Sequence, residues 1–465
     1  MLNNRYISTL TLLVTLTAIL FVSVPISSMT VSTDVLNSSN RNFCKGSKIV
    51  IPIDFETIQE ALDHAPPGSR ILLLEGVYKE NIIIRKKVHL VGVYPEAVVV
   101  DGGRCGKDTI YIKSDGVIIE NITIRNGWSK NDGLWDISGI RISASNVTIR
   151  NCIIRDNRLG INIMVGSRNI TIENNRFFGD GIFIGNYIGE WHIGKKDFYH
   201  RISNNSVNGK PLLYVRDKRD LVLQDDIGSV ILVNCSNVSI AGSHFSLTDF
   251  PVILAYCNNC RVEDITVSNT DGEIILFNSS SCILKNIKSE KNLVGICLDT
   301  GCCNNIVENN EISGCWMGIE ILGKSHNNYI CNNYIHNNYQ GIVIGSFYER
   351  WSPKENVIEG NKLCKNFVGI SLTKNATFNL IEKNTMVGGL IGIILKHSSY
   401  NVIARNIIKR CIIKATFVDC SQNEWYMNYW GRGRVISKVI LGLRSIGRIK
   451  MPWINIDLKP LWWPI

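Results

Sequence analysis

Hydrophobic and polar residues alternate along this chain in short runs, and the runs recur at nearly constant spacing. A Gly-Ile-x-Ile/Leu pattern begins at Gly139, Gly160, Gly181, Gly295, Gly318, Gly341, Gly369 and Gly392. Its intervals are 21 and 21 residues in the first group, and 23, 23, 28 and 23 in the second. Alternation with a period of two is typical of β-strands, and a repeat of about 20 to 50 residues is typical of a solenoid or propeller.

The residues between the predicted strands indicate which kind of solenoid the chain forms. Asn310, Asn333, Asn361 and Asn384 each lie eight residues before the glycine of their unit, and Asn157, Asn292, Asn338 and Asn366 each lie three before theirs. Identical side chains stacked in successive coils form hydrogen-bonded ladders. Helix-forming runs are missing between residues 117 and 420. The sequence therefore predicts an all-β fold, a single-stranded right-handed parallel β-helix whose coils stack about 4.8 Å apart.

Both ends of the predicted solenoid leave the repeat, as expected where sheet edges need covering. Residues 54–65 place apolar side chains on one helical face, with Asp54 as the N-cap and Pro66-Pro67-Gly68 as the stop. Residues 423–431 are rich in bulky aromatics, which predicts a second cap. We assign residues 48–116 to the amino-terminal cap and first coils, 117–420 to the repeats, and 421–465 to the carboxy-terminal cap and a basic tail.

The amino terminus indicates export. Arg5 precedes an apolar, hydroxyl-rich run from Ile7 to Ile26, so residues 1–28 are either a secretory signal peptide or a membrane anchor, followed by a linker at 29–47. We expect an extracytoplasmic protein: secreted, on the cell surface or periplasmic. The formal net charge is +10, and the tail beyond residue 430 contributes +6 of it. We interpret the tail as solvated or surface-adsorbing, and we expect no nucleic-acid partner because no nucleic-acid motif is present.

Several segments resemble a known family. They are residues 57–62 (TIQEAL) with 75–81 (EGVYKEN), 206–212 (SVNGKPL), 230–235 (VILVNC), and 425–430 (WYMNYW) with 457–461 (DLKPL). They resemble NosD-type parallel β-helix proteins, within the carbohydrate-binding and sugar-hydrolase group of pectate-lyase-like β-helices. The resemblance covers residues 48–465 and implies a periplasmic or extracellular location. In the namesake branch it also implies a role in supplying copper to nitrous oxide reductase, but no defined copper-ligand motif of the family maps onto this sequence.

The chain contains 15 cysteines, and the register of four of them suggests disulfides. With Leu254, Leu276 and Leu298 aligned at a spacing of 22, Cys235 falls over Cys257, and Cys260 falls over Cys282. Residues aligned in adjacent coils have Cα atoms about 5 Å apart, so we predict the disulfides Cys235–Cys257 and Cys260–Cys282 as a hypothesis. The alternatives are buried thiols acting as small hydrophobes, or a copper or zinc site. The candidate metal ligands are Cys257, Cys260, Cys302 and Cys303.

Candidates for catalysis and sugar binding lie where the repeat is interrupted. Asp225 and Asp226 form an adjacent acid pair, the chemistry that glycoside hydrolysis requires. Trp191 and His192, in an irregular stretch, and Trp351, in an insertion, are candidates for sugar stacking. A lyase would instead use Lys or Arg with bound calcium.

These observations leave three functions open. The leading hypothesis is a non-catalytic envelope protein that binds a carbohydrate or a partner protein along its solenoid, because the repeats lack a convincing acid pair. The alternatives are a polysaccharide hydrolase or lyase, and a copper-binding accessory protein. Possible partners are therefore a carbohydrate or an envelope protein, with membrane anchoring through the amino terminus as a further expectation.

Overall fold

The structure is a computed structural model that describes residues 48–129, 137–185, 193–224, 226–345, 351–432, 436–446 and 449–462. The signal or anchor (1–28) and the linker (29–47) predicted above lie outside these residues. Within them the chain is a right-handed parallel β-helix, as predicted, with one short α-helix. No helix in the described segments has the length and apolar character needed to span a membrane.

The amino-terminal half contains three parallel sheets. Its strands, numbered in chain order, are β1 (Lys48–Ile51), β2 (Arg70–Leu73), β3 (Gly76–Tyr78), β4 (Ile82–Ile84), β5 (His89–Gly92), β6 (Val98–Asp101), β7 (Ile110–Ile112), β8 (Ile118–Glu120), β9 (Thr123–Arg125), β10 (Ser138–Ile142), β11 (Thr148–Arg150), β12 (Ile153–Arg155), β13 (Leu159–Ile163), β14 (Thr171–Glu173), β15 (Arg176–Phe178), β16 (Ile182–Ile184), β17 (Arg201–Ser203) and β18 (Asn205–Val207). One sheet has the order β1-β2-β5-β8-β11-β14-β17, another β16-β13-β10-β7-β4, and the third runs from β3 through β6, β9, β12 and β15 to β18.

The carboxy-terminal half also contains three sheets, which we call sheets 1, 2 and 3. Sheet 1 comprises β19 (Lys210–Arg216), β21 (Ser229–Val233), β24 (Val252–Ala255), β27 (Ile274–Phe277), β30 (Val294–Asp299), β33 (Met317–Ile321), β36 (Gln340–Ile344), β39 (Val368–Thr373), β42 (Ile391–Lys396) and β45 (Ile413–Val418). Sheet 2 comprises β20 (Arg219–Gln224), β22 (Ser236–Ala241), β25 (Arg261–Glu263), β28 (Ile283–Lys285), β31 (Ile306–Glu308), β34 (Tyr329–Cys331), β37 (Val357–Glu359), β40 (Leu380–Glu382), β43 (Val402–Ala404) and β46 (Glu424–Tyr426). Sheet 3 comprises β23 (His244–Ser246), β26 (Thr266–Ser268), β29 (Lys288–Glu290), β32 (Glu311–Ser313), β35 (Tyr334–His336), β38 (Lys362–Cys364), β41 (Thr385–Val387) and β44 (Ile407–Lys409).

The two halves meet at an antiparallel hairpin that interrupts the parallel stacking. Strand β18 pairs antiparallel with β19, and β19 then pairs parallel with β21. The turn of this hairpin contains Asn208 and Gly209 at φ 51° and 83°, and Asn-Gly at positive φ is the favoured sequence of a tight hairpin. The repeat analysis did not predict this change of direction.

The predicted ladder through Asn310, Asn333, Asn361 and Asn384 joins the coils. Of the other predicted set (Asn157, Asn292, Asn338 and Asn366), Asn338 donates to Asn366, whereas Asn157 donates to Asp180. In one ladder the Nδ2 of Asn310 donates to the Oδ1 of Asn333, and Asn333 donates in the same way to Asn361, both at 2.9 Å. This ladder continues through Asn384, Asn406 and Asn428. A second ladder, which the sequence analysis did not identify, contains Asn305, Asn328, Asn356, Asn379, Asn401 and Asn423. Both ladders satisfy buried backbone groups at corners where the sheet hydrogen bonds end.

The two caps differ in detail from the prediction. The α-helix spans Ile58–His64 and its N-cap is Thr57, whose side chain accepts from the backbone N–H of Glu60. Asp54 was therefore wrongly predicted as the N-cap, because its carboxylate instead accepts from the N–H of Val50 at 2.8 Å. At the other end Trp425 and Trp430 are buried, 6.1 Å apart, and cover the last coil. The stack of parallel strands extends to β46, beyond the predicted end of the repeats at residue 420.

The ladders provide a test of the fold. Replacing Asn361 with Ala leaves the N–H groups of Asn333 without their shared acceptor at Oδ1 and the carbonyl of Ile330 without a donor. We expect the free energy of unfolding to fall by about 2–4 kcal/mol, because each orphaned buried group costs about 1–3 kcal/mol. The measurement is urea unfolding followed by far-ultraviolet circular dichroism.

The matched control is Asn258→Ala, since Asn258 is exposed and its side chain donates only to the hydroxyl of Ser280 at an outer corner. We expect a change of less than about 0.5 kcal/mol there. Equal losses for the two variants would contradict a structural role for the buried ladder.

Candidate functional site on the outer face of sheet 1

The acid pair and two of the aromatic candidates cannot be placed, because Asp225, Trp191 and His192 lie outside the described residues. Asp226 is described: its side chain is 77% exposed and forms an ion pair with Lys210 at 2.6 Å. An exposed, paired carboxylate has the features of a surface residue. The structure therefore gives Asp226 no feature of a catalytic acid.

Trp351 was predicted to stack on a sugar, and its burial argues against that role. Its side chain is only 5% exposed, and the ammonium of Lys324 lies 5.9 Å from the ring centroid. A sugar-stacking platform must offer a ring face to solvent. Sugar stacking by Trp351 stays a prediction, and it would require this buried ring to become exposed.

The predicted register of the cysteines is confirmed, but the two disulfides are not. Val233 pairs with Ala255, which places Cys235 over Cys257, and Arg261 pairs with Ile283, which places Cys260 over Cys282. All four are free thiols. In-register parallel strands hold Cβ atoms about 4.8 Å apart with parallel Cα–Cβ bonds, whereas a disulfide needs Cβ atoms about 3.5–4.5 Å apart. The thiol of Cys257 lies 3.5 Å from the carbonyl oxygens of both Leu232 and Ala255.

The same cysteines do not form a metal site. Among the described residues, no group of three or more His, Cys, Asp or Glu side chains could hold a metal ion. Burial raises the pKa of Cys257 and of Cys302, so both favour the neutral thiol over the thiolate that copper or zinc requires, whereas hydrogen bonds from the Cys257 and Cys282 thiols lower the pKa of Cys260 to about 3. Cys302 and Cys303, although adjacent, differ in burial: the first is fully buried and the second is partly exposed. The described residues therefore show no set of ligands for copper, zinc or calcium.

Sheet 1 is unusual because its outer face is covered. The side chains of Ile231, Ile253 and Ile275 form one column that points away from the interior cluster, yet each is no more than 4% exposed. Part of the cover comes from the irregular stretch in which we expected a binding site. Its described residues include a 3-10 helix, Lys195–Phe198, and the Phe198 ring lies 5.7 Å from that of Phe277 in β27. This stretch packs against the sheet.

Three carboxylic acids lie on this outer face within three successive coils: Glu273, Asp299 and Glu320. Glu273 directly precedes β27, Asp299 ends β30, and Glu320 lies in β33 opposite Cys297 of β30. Glu273 and Glu320 are 7% and 5% exposed. From the strand spacing, the Cα atoms of Asp299 and Glu320 are about 8 Å apart. We call these three residues the acid cluster.

Burial and repulsion between the carboxylates, rather than pairing with cations, dominate the electrostatics of the acid cluster. Burial, and then repulsion from Glu320 and Asp299, raises the pKa of Glu273 well above its ordinary value. Burial also raises the pKa of Glu320 to about 8, with a contribution from Asp299. Burial raises the pKa of Asp299 as well, although a hydrogen bond from the Thr300 hydroxyl at 2.9 Å opposes the shift. The Oε2 atom of Glu273 is buried and has no hydrogen-bond partner in the described part of the chain.

A row of exposed aromatic side chains lies at the corner where sheet 3 passes into sheet 1. The rings of Trp316 and Tyr339 stack at 4.2 Å, and those of Tyr339 and Phe367 stack at 5.0 Å. Their residues are 45%, 40% and 44% exposed. The backbone N–H of Tyr339 donates to Cys315, and that of Phe367 donates to Asn338, so the three occupy one position in successive coils. We call Trp316, Tyr339 and Phe367 the aromatic row.

Polar side chains of sheet 3 accompany the aromatic row. His336 lies 3.4 Å from the carboxylate of Glu311 and stacks on Tyr334 at 4.4 Å between ring centroids. The ammonium of Lys362 lies 5.1 Å from the centroid of Tyr334. An apolar strip beside hydrogen-bonding groups is the usual composition of a ligand-binding surface.

The aromatic row and the acid cluster are close in the fold. Trp316 precedes Glu320 by four residues, which corresponds to about 13 Å of extended chain. A chain-like ligand lying along the row would cross successive coils beside sheet 1, at right angles to the strands that lead to its outer face. A neutral carboxyl beside an ionised one can act in general acid–base catalysis, provided that a substrate reaches it.

The sequence contained a signal for the row but little for the cluster. Trp316, Tyr339 and Phe367 each lie two residues before a glycine of the repeat, so alignment of the units would have shown three aromatics in one column. The acids occupy different columns in different coils, and their burial depends on what lies over sheet 1.

This fold and surface define a class, the right-handed parallel β-helix repeat proteins. Residues 203–391 and 352–436, together half of the chain, match the family model described as periplasmic copper-binding protein (NosD). Residues 78–209 match the model for the right-handed β-helix region. The chain belongs to the NosD family of β-helix proteins, as the resemblance implied.

Several solved structures are also similar. The A-module of a mannuronan C-5 epimerase from Azotobacter vinelandii is 16% identical, with 82% of this chain and 96% of that one covered and a TM-score of 0.35. A periplasmic alginate epimerase is 12% identical over 90% of this chain and 82% of its own, with a TM-score of 0.33. An exopolygalacturonase from Thermotoga maritima is 11% identical over 86% and 89%, with a TM-score of 0.31. These similarities are too distant to bear on activity. No curated protein matches the sequence.

The raised pKa of Glu320 predicts a pH dependence of stability. The pKa of Glu320 in the folded state, about 8, lies above the ordinary glutamate value of 4.5. The free energy of unfolding is therefore highest below about pH 4.5, where the carboxyl is neutral in both states, and it falls as the pH rises to 8. We expect Glu320→Gln to reduce the fall in melting temperature between pH 5 and 8, because glutamine does not titrate. The measurement is a series of thermal melts across that range.

Glu308→Gln, on the outer face of sheet 2, is the control and should keep the parent's slope. An unchanged slope in the Glu320 variant would show that this carboxyl does not titrate in that range.

The state of the cysteines is directly measurable. We expect Cys235, Cys257, Cys260 and Cys282 all to react with an alkylating reagent when the chain is unfolded without reductant, because all four are free thiols in the structure. Mass spectrometry of the digest gives the extent of labelling. Recovery of Cys235–Cys257 or Cys260–Cys282 as a linked peptide would contradict this and restore the disulfide hypothesis.

Proposed function

We propose that this chain acts outside the cytoplasm as a non-catalytic protein that binds a carbohydrate chain along the aromatic row. The observation that carries the proposal is the row itself, three exposed aromatic side chains in register on a rigid scaffold. Sugars present apolar C–H groups to aromatic rings and hydroxyls to polar neighbours, and Glu311, His336 and Lys362 supply such neighbours. The apolar run at residues 7–26 and the periplasmic description of the family support the location.

The non-catalytic part of the proposal follows from burial. Glu273 and Glu320 are the acids with the most strongly raised pKa in the cluster, and each is less than 10% exposed. A glycosidic oxygen must come within about 3 Å of an acid that protonates it. The aromatic row is open in the same structure, so binding needs no rearrangement, whereas catalysis does.

A polysaccharide hydrolase or lyase is the second candidate, and the acid cluster is the observation that favours it. Glu320 would serve as the proton donor, because a pKa of about 8 keeps it protonated at neutral pH, and Asp299, the more exposed of the two, as the base. A copper-handling role has the family description in its favour, but the described residues offer no suitable ligand set.

The test of binding uses the full chain and a panel of neutral and acidic polysaccharides. We expect at least one polysaccharide to retain the protein, and Trp316→Ala with Tyr339→Ala to weaken retention about tenfold or more, because removing buried aromatic contacts commonly costs more than about 1 kcal/mol each. The matched control is Phe378→Ala with Tyr400→Ala, an exposed stacked pair 5.1 Å apart at another corner.

Equal losses in the two double variants would contradict the assignment to the row. Retention by no polysaccharide would contradict carbohydrate binding and leave an envelope protein as the ligand to seek.

The same samples test for turnover, with calcium and without. The proposal predicts neither new reducing ends nor unsaturated products. Product formation that is abolished by Glu320→Gln but kept in Glu308→Gln would overturn the non-catalytic proposal and make the chain an enzyme that uses the acid cluster.

A further inference from the structure

The aromatic row continues with aliphatic side chains towards the carboxy-terminal end of the solenoid. Sheet 1 keeps one register from β33 to β45, and the position just before the paired residues is filled in successive coils by Trp316, Tyr339, Phe367, Leu390 and Ile412. Ile412 is 79% exposed. From the strand spacing, it lies about 10 Å from Phe367 along the stack. A ligand that lies along the row therefore reaches the coil of β43, β44 and β45, the last coil with strands in all three sheets.

An open cleft lined by cations lies beside Ile412 in this last coil. Its volume is about 570 Å³, and the charged residues that line it are Lys409, Arg410, Lys414, Arg432 and Lys438. Three of them come from the corner that carries the row, because Lys409 ends β44, Arg410 follows it, and Lys414 lies two residues after Ile412. Among the described residues, no Asp or Glu lines the cleft. We call these five cationic residues the basic cleft.

Lys414 occupies the position that glycine holds in the preceding coils, since it is aligned with Gly392. A side chain is excluded where another coil follows, because a Cβ atom on Gly392 would lie 2.5 Å from the Lys414 carbonyl oxygen. Within the described part of the chain, no strand pairs with residues 413–415 on the far side, so a side chain fits there. The Lys414 ammonium donates to the carbonyl of Cys411 at 2.8 Å, which holds its charge at the corner.

The opposite wall of the cleft comes from the chain that follows β46. Gly431, at φ 84°, lies over the last coil, and a Cβ atom on it would be 3.5 Å from the Cα of Lys409. Arg432 follows directly. Lys438 begins β47 (Lys438–Ile446), which pairs antiparallel with β48 (Ile449–Asp457). The cleft is therefore built between the end of the row and the carboxy-terminal cap.

The positive charge of the basic cleft is not balanced by acids close to it. Among the described residues, the four cations other than Lys438 form no ion pair with a carboxylate. Asp457, opposite Lys438 in the hairpin, is fully buried and accepts a hydrogen bond from the indole N–H of Trp430. Residues 383–418 contain no Asp or Glu at all. Cations gathered in one cleft without counter-charges attract anionic groups.

We propose that the basic cleft binds anionic groups of an acidic polysaccharide whose sugar rings lie on the aromatic row. This inference rests on the proposed function and adds the class of ligand, a sugar chain that carries carboxylate or sulfate groups. Lys and Arg form charge-assisted hydrogen bonds with such groups, so the cleft distinguishes a charged chain from a neutral one. A nucleic acid offers similar charges, but the location proposed above, outside the cytoplasm, favours a polysaccharide.

The experiment measures the affinity of the full chain for two pairs of polymers that share a backbone and differ in charge. One pair is polygalacturonate and its methyl ester, and the other is dextran sulfate and dextran. We expect at least one acidic member to bind about tenfold or more tightly than its neutral partner, because charge-assisted hydrogen bonds form only with the acidic chain. The difference should shrink as the salt concentration rises. The pair that shows it identifies the anionic group.

A variant of the cleft tests the assignment to these residues. Lys409→Gln with Arg410→Gln should remove most of the preference for the acidic chain, by about tenfold, since two cations of the cleft are lost. The matched control is Lys218→Gln with Arg219→Gln, an exposed Lys-Arg pair where β19 passes into β20, which removes the same charge and should keep the parent's preference. Equal losses in both variants, or equal affinity of the parent for acidic and neutral partners, would overturn this inference without touching the row.

The row variant, Trp316→Ala with Tyr339→Ala, separates this inference from the proposed function. It should weaken binding of the acidic and the neutral chains alike. If only the cleft variant loses affinity, the proposed function is contradicted, and the cleft is supported as an anion site. Single-stranded DNA that binds as tightly as the acidic polysaccharide would overturn the assignment of the ligand class.

Discussion

From Asn305 to Asn428 each coil must stack on the next at one strand spacing and in one register, and the buried asparagine ladders enforce this. An amide side chain is suited to the task, because it accepts from the coil on one side and donates to the coil on the other. In Asn361, for example, the Oδ1 accepts from Asn333 while the Nδ2 donates to Asn384. Without these bonds the backbone groups at the corners would be buried and unpaired.

The functional surfaces follow from that register. Because coils superimpose, a residue type repeated at one position becomes a continuous row, as Trp316, Tyr339 and Phe367 do. Acids at scattered positions on one face come close together only where consecutive coils place them side by side, as with Asp299 and Glu320. The 28-residue unit keeps the same ladder positions as the 23-residue units, so its five extra residues leave the stack in register.

Because the outer face of sheet 1 is covered, its acids are less accessible to a ligand than the aromatic row is. Its isoleucine column and the Phe198 ring are favourable to bury, but Glu273 and Glu320 are not, since a buried charge without a counter-charge is costly. Raising the pKa of both acids relieves part of that cost by keeping them neutral. Polar groups that are unfavourable for stability often mark function, which is why the acid cluster keeps an enzyme as the second candidate.

The sequence allowed the fold class, the ladder of Asn310 to Asn384 and the cysteine register to be predicted, because each depends on spacing within a repeat. It did not allow the burial of Trp351 or the free state of the thiols to be predicted. Both depend on side-chain direction, which spacing does not determine. The hairpin of β18 and β19 and the acid cluster were missed because each arises where the repeat is broken or where separate columns approach one another.

The central claim is that the open ligand-binding surface is the aromatic row at the corner of sheets 3 and 1. Hydrogen–deuterium exchange of the whole chain, with and without the polysaccharide that retains it best, tests this most directly. The account predicts slower exchange confined to peptides that contain residues 311–318, 334–341 and 362–369. Protection that falls instead on sheet 2, or on no coil at all, would contradict it.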